Sequence, residues 1–198
     1  LVTLISKPGR EGVKRVVELL RTGQMPVWMT LGGVFGGFLV MTQGLAAGTL
    51  GIALFTVAVV AGQGISGIVI DSRGWFGVQK RRLNFARLLG ALIVIVGVGM
   101  VAESPSLDTI LLLSLPCLAG LGLGFQQAAN GKVGINAESA LAATFVNFAM
   151  GSGMLFIAKL ISLLFVGIPT GMPSGWWLYV GGFTGVLFIT IQVVVVSR

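Results

Sequence analysis

Six stretches of the chain are apolar almost without interruption: Pro26 to Gly44, Thr49 to Ile70, Leu83 to Ala102, Leu107 to Ala129, Ser139 to Val166 and Trp176 to Val196. A helix of about 20 mostly apolar residues crosses the roughly 30 Å hydrocarbon core of a bilayer, so the pattern predicts six spans, a to f. Span e is the longest and is expected to tilt or to lie partly in the interface. Inside the spans the few polar residues fall at helical spacing. Thr56, Gln63, Ser66 and Gly67 share a stripe in span b, Ala119, Gly122, Gln126 and Asn130 in span d, and Thr144, Asn147, Gly151 and Ser162 in span e. A polar side chain in hydrocarbon needs a partner or water, so these stripes are expected to face the protein interior.

A second pattern has a much longer period. Trp28, Gly32, Gly33, Gly36 and Gln43 return as Trp177, Gly181, Gly182, Gly185 and Gln192, every member displaced by 149 positions. Glycine is common in this chain, whereas Trp and Gln are scarce and both keep register, which indicates an internal duplication. Five spans lie between the start of one copy and the start of the next, and an odd number makes successive repeats cross the membrane in opposite directions. The expected fold is therefore an all-α integral membrane protein, a polytopic helix bundle of inverted five-span repeats with six full spans in this sequence. Residues 1–104 read as the C-terminal part of a first repeat and 105–198 as the N-terminal part of a second. The same offset lays Leu1 to Ser6 on Met150 to Leu155 within span e, so the start reads as the tail of a cut helix. A parent chain of roughly 300 residues with about ten spans is expected on this arithmetic.

Composition agrees: 55% of residues are hydrophobic and 10% charged, and the mean hydropathy is +0.99, outside the range of soluble domains. The net charge of +7 would suggest nucleic acid in a soluble protein. Here the charges sit almost entirely in the connections, so no nucleic-acid partner is expected and the partner is the lipid bilayer. Lys7, Arg10, Lys14, Arg15 and Arg21 precede span a; Arg73, Lys80, Arg81 and Arg82 lie between b and c, with Arg87 at the opening of c; Lys132 lies between d and e; Arg198 follows f. With alternating spans all of these fall on one side. The opposite connections, Ala46 to Gly48, Glu103 to Asp108 and Gly167 to Gly175, carry no Lys or Arg. The positive-inside rule then puts the basic loops of this multi-pass protein in the cytoplasm.

The candidate chemistry is hydrogen bonding. There is no histidine, the acidic residues are scattered at span ends, and no nucleophile stands beside a base, so no enzyme is expected, and no cofactor or metal. The single cysteine, Cys117, excludes an intrachain disulfide. Asp71 with Arg73 reads as an interfacial ion pair or cap, Glu138 as a carboxylate at the start of span e, and Lys159 as a snorkelling side chain. Gln43, Gln63, Ser66, Gln126, Asn130, Asn147 and Gln192 are the candidates to line a substrate path. Neutral amides suit an uncharged or zwitterionic ligand. The competing reading is a non-transporting membrane scaffold, in which the same amides only bind helices together.

In span b the string AGQGISGIVIDSRGWFG, Ala61 to Gly77, resembles the hallmark segment of the YdcZ-like family of inner-membrane exporters within the drug/metabolite transporter superfamily. The matching positions are Gly62, Gln63, Asp71, Gly74 and Gly77, followed by Arg87 and Gly90. Spans d and e resemble a second family segment, with Gln126 and Asn130, then Gly134, and later Phe148 with Gly151. The resemblance implies inverted five-helix units with a path between them, and secondary export of a small metabolite or drug-like molecule by alternating access. Many relatives are single repeats of about half the length, so the tandem form would fuse what elsewhere pairs, and homo-oligomerisation stays open.

Overall fold

A computed structural model describes residues 6–77, 106–167 and 174–196, with positions 80, 85, 89, 90, 92, 93, 96, 97, 99 and 171. Every regular element among the described residues is helical. These are α1 (Lys7–Arg21), a 3-10 turn (Val27–Leu31), α2 (Gly32–Leu50), α3 (Ile52–Arg73), a second 3-10 turn (Trp75–Gly77), α4 (Leu107–Ala137), α5 (Ala140–Val166), a third 3-10 turn (Trp176–Tyr179) and α6 (Gly181–Val196). Among the described residues four segments are long and apolar enough to cross a membrane: Val27–Leu50, Ile52–Arg73, Leu107–Ala137 and Ala140–Val166. Span f is instead a 16-residue helix, about 24 Å long at 1.5 Å per residue, because its first turn is 3-10 rather than α. Most of span c, and all but Ser6 of the helix tail read at the start of the chain, lie outside the described residues.

The chain divides into two compact units, Leu1–Gly33 with Ala129–Arg198, and Val34–Ala128. In the first, α5 is the spine, and α1, the Val27–Leu31 turn and α6 pack against it. Its core is Val16, Met25, Val133, Ala137, Ala142, Ala143, Ile189 and Val193. The alanines Ala137, Ala142 and Ala143 among them let the helix backbones approach closely, as association in lipid requires.

Helix α1 is a finding, since its charged sequence reads as a loop. Ser6 caps it by accepting from the Gly9 amide at 3.3 Å, and Pro8 stands in its first turn. It ends at Thr22, whose hydroxyl donates to the Glu18 carbonyl at 2.9 Å. Its buried face is Gly9, Gly12 and Val16. A methyl on Gly12 would stand 2.6 Å from the Ser139 Cβ and 2.8 Å from that of Ala142, so α1 lies directly on the first turn of α5.

The loop expected around Lys132 is also helix, since α4 runs on to Ala137. The reversal into α5 then takes only two residues. Glu138 adopts φ 51°, its amide donates to the Ile135 carbonyl at 3.1 Å, and the Ser139 amide donates to the Gly134 carbonyl at 3.1 Å. These paired bonds close α4 in a Schellman motif. The Ser139 hydroxyl at once caps α5 by accepting from the Ala142 amide at 3.2 Å.

In the second unit α2, α3 and α4 pack around Ala46, Phe55 and Val59, with Leu39, Leu50, Leu112 and Leu123 against them. The connection expected at Ala46 to Gly48 is instead Gly51. Helix α2 continues to Leu50, and Gly51 turns the chain at φ 76°, a value glycine adopts without strain. Gly62 of α3 lies on the α4 backbone, where a methyl would overlap the Cys117 carbonyl, and Gly120 of α4 reciprocally meets the Val59 carbonyl. Outside, Val40, Leu45, Val60, Leu111 and Leu118 are exposed, a surface suited to hydrocarbon.

Candidate functional site

Buried polar side chains occur in both units. In the first, the Asn130 Nδ2 of α4 donates to the Asn147 Oδ1 of α5 at 2.9 Å, with the two residues 3% and 6% exposed. Two polar groups expected on separate helical stripes thus meet each other. Gly33 fixes the position of Asn147, because a methyl there would overlap the Asn147 carbonyl. One turn earlier on α5, Thr144 meets Thr190 of α6, hydroxyl to hydroxyl, at 3.1 Å. Each hydroxyl is also near its own helix, Thr144 to the Ala140 carbonyl at 2.9 Å and Thr190 to that of Val186 at 2.7 Å. One proton therefore bridges the helices while the other is held locally. Thr190 was not among the expected residues, although its hydroxyl inside span f was a legible signal.

At the edge of this unit the Arg15 Nη1 bonds the Glu138 Oε2 at 2.6 Å, with both side chains largely in solvent. The hydrogen bond and charge of Glu138 hold the Arg15 pKa above its usual value. Arg15 is charged at any pH of practical interest, and the pair is a solvent-screened tether between α1 and the α4–α5 turn.

In the second unit Gln126 is 3% exposed and lies over Gly36, whose missing methyl would stand 3.0 Å from the Gln126 Nε2. Gln63 and Ser66 of α3 are half-buried. The Ser66 hydroxyl donates to the Gln63 carbonyl at 3.1 Å, and Ser66 lies against Gly124 of α4. Beside them is an aromatic cluster that sequence reasoning missed: Phe125 makes edge-to-face contacts with Phe35 at 5.1 Å and with Phe76 at 4.9 Å. Phe76, at φ 58° in the turn after α3, carries no hydrophobic periodicity that would have announced it.

Gln43 and Gln192 stand apart from these clusters, Gln43 exposed on α2 and Gln192 half-buried on α6. Thr56, expected on the interior stripe of span b, is exposed and bonds its own helix at the Ile52 carbonyl, 2.7 Å away. Several positions of the resemblance have structural roles. Gly62 is the α3–α4 crossing, Gly74 closes α3 at φ 67° with its amide donating to the Ile70 carbonyl, and Gly134 admits Val193 of α6. Gly77 ends the following turn, Gly151 is buried in α5 and Asp71 is half-buried near the end of α3. Arg73 lies over the Trp75 ring at 5.0 Å, a cation–π contact. Lys159 is exposed on α5, and Arg87 lies outside the described residues.

The two copies of the long-period pattern share a local fold. Trp28 and Trp177 each sit in a 3-10 turn, and Gly32 and Gly181 each open the α-helix that follows. The profile of the family described as "Putative inner membrane exporter, YdcZ" matches the chain over residues 3–100 and again over 111–198. No curated protein and no solved structure matches it.

Proposed function

Because the chain belongs to the YdcZ family of inner-membrane exporters, we propose that it moves a small metabolite or drug-like molecule across that membrane by alternating access. The observation that supports this most is the Asn130–Asn147 pair, two amides bonded across neighbouring apolar helices and shielded from solvent. Intramembrane polar groups of this kind mark substrate pathways more often than chance. Gln63, Ser66 and Gln126 would add further neutral donors and acceptors, and Gln43 and Gln192 would act nearer the membrane faces. Such groups suit an uncharged or zwitterionic solute. Residues 1–104 and 105–198 would belong to successive inverted repeats, with the Arg15, Arg81 and Lys132 segments in the cytoplasm.

Transport by the full-length protein in proteoliposomes, screened over metabolites with and without a proton gradient, tests the activity. Asn130→Ala, Asn147→Ala and Gln63→Ala should each lower transport more than they lower the yield of folded protein. The second reading, helix glue in a scaffold, is favoured by one specific fact: the two asparagines already bond each other. If the variants lose expression in proportion to activity, that reading stands. Single cysteines at positions 15, 81 and 132, in a Cys117→Ala background, should resist an impermeant reagent added from outside, whereas those at 105 and 173 should react.

A further inference from the structure

Helix α1 sorts its charges around its circumference. At 100° per residue, Arg10, Arg21, Lys14 and Lys7 occupy one sector of about 60°, opposite the buried face of Gly9, Gly12 and Val16. Glu11 and Glu18 lie on the flank towards Arg15, whose guanidinium is engaged by Glu138. The other flank of the basic sector is apolar, with Val17 exposed at 42% and Val13 half-buried. All four basic residues are exposed, and among the described residues the Arg15–Glu138 contact is the ion pair that α1 makes.

The depth of α1 follows from its attachments. It lies on the first turn of α5, a membrane-crossing segment. Only Thr22 to Pro26 separate it from the 3-10 turn that opens another such segment, and at about 3.5 Å per residue this allows under about 20 Å. An amphipathic helix held there, with a cationic stripe beside an apolar edge, meets the layer where phosphate headgroups and the first methylenes of the acyl chains adjoin.

We propose that the Lys7–Arg10–Lys14–Arg21 stripe is a docking surface for anionic phospholipid headgroups, with Val13 and Val17 against the upper acyl chain. The apolar edge and the interfacial depth favour a lipid over a soluble polyanion. A basic residue near an anionic surface favours binding roughly fivefold at physiological ionic strength, so the four together give a clear preference over zwitterionic lipid.

The full chain, with Cys117→Ala and an environment-sensitive fluorophore on Val17→Cys, is reconstituted in phosphatidylcholine vesicles with and without phosphatidylglycerol. The expected result is a blue shift on adding phosphatidylglycerol that high salt reverses and that Lys7→Gln, Arg10→Gln, Lys14→Gln and Arg21→Gln together abolish. Thermal unfolding establishes that the quadruple variant is folded. Should it not fold, the double variants Lys7→Gln with Lys14→Gln and Arg10→Gln with Arg21→Gln should each halve the shift. Equal spectra in the two lipids, or a shift that survives these substitutions, would overturn the proposal. So would an equal shift on adding RNA or inositol hexakisphosphate to phosphatidylcholine vesicles, which would assign the stripe to a soluble polyanion.

Discussion

Trp28 to Gln43 and Trp177 to Gln192 share a pattern and a local fold, yet a methyl on Gly33 would overlap the Asn147 carbonyl whereas one on Gly182 would meet nothing within 4 Å. The neighbours of the two segments differ in the same way. Gly36 is covered by Gln126, while its counterpart Gly185 meets only the edge of the Phe148 ring, at 3.3 Å. Other equivalents reverse the sense. Ile189 and Val193 of α6 are buried, while Val40 and Gly44, which correspond to them, are exposed. The pattern therefore encodes how a helix begins, a 3-10 turn carrying Trp and then a glycine pair. Which face becomes an interface is decided by the neighbour.

The strongest way to break this comparison is to fill the glycines. Gly33→Ala should destabilise the chain by about 1–3 kcal/mol, because the backbone of α5 cannot yield as a flexible side chain would. Gly62→Ala should behave alike at the α3–α4 crossing. Gly182→Ala should be neutral or stabilising by up to about 1 kcal/mol, alanine being the better helix former. Thermal unfolding in detergent, read as differences between variants, checks all three, and equal losses at Gly33 and Gly182 would refute the asymmetry.

Next in size come the polar contacts that attach α4 and α6 to α5. Asn147→Leu should cost about 1–2 kcal/mol, because the Asn130 amide is left buried without its acceptor. Removing both amides in Asn130→Leu with Asn147→Leu should cost less than the sum, with a coupling of about 0.6–1.7 kcal/mol. Thr190→Val should cost less than Asn147→Leu, since Thr144 retains its own carbonyl partner. A coupling near zero would mean that the asparagines do not hold each other in the membrane.

The spans were legible where apolar runs coincide with helices, as in Ile52–Arg73 and Ala140–Val166. Their ends were not, because hydropathy records where charge begins and not where hydrogen bonding stops. Lys132 looked like a loop, yet Val133 and Ala137 around it are buried against neighbours and carry the helix onward. Helix α1 was readable in principle from the Ser6 cap, Pro8 and the small-to-apolar spacing of Gly9, Gly12 and Val16, but its charges hid it. For the candidate site, phase alone picked out Asn130 and Asn147. It could not say that they bond each other, nor that Gln126 faces a glycine of another helix, because partners are a property of tertiary packing.

The smallest expected effects concern the last residues of the repeated pattern. Gln43 is exposed on α2, on the same side as the exposed Val40. Gln192 is half-buried on α6, on the flank of the buried Ile189. An amide turned towards hydrocarbon is unfavourable, so Gln43→Leu should leave stability within about 0.5 kcal/mol or raise it slightly, in keeping with exposed positions generally. Gln192→Leu removes a group from a packed edge and should cost more, up to about 1 kcal/mol. Melting of the two variants in detergent gives that ordering directly. The same variants in proteoliposomes ask a different question. If Gln43 borders the transport path, Gln43→Leu should lower transport while the melting temperature holds. A Gln43 variant that loses stability instead would place a partner over that face of α2, and the contrast between the two helices would then belong to the isolated chain alone.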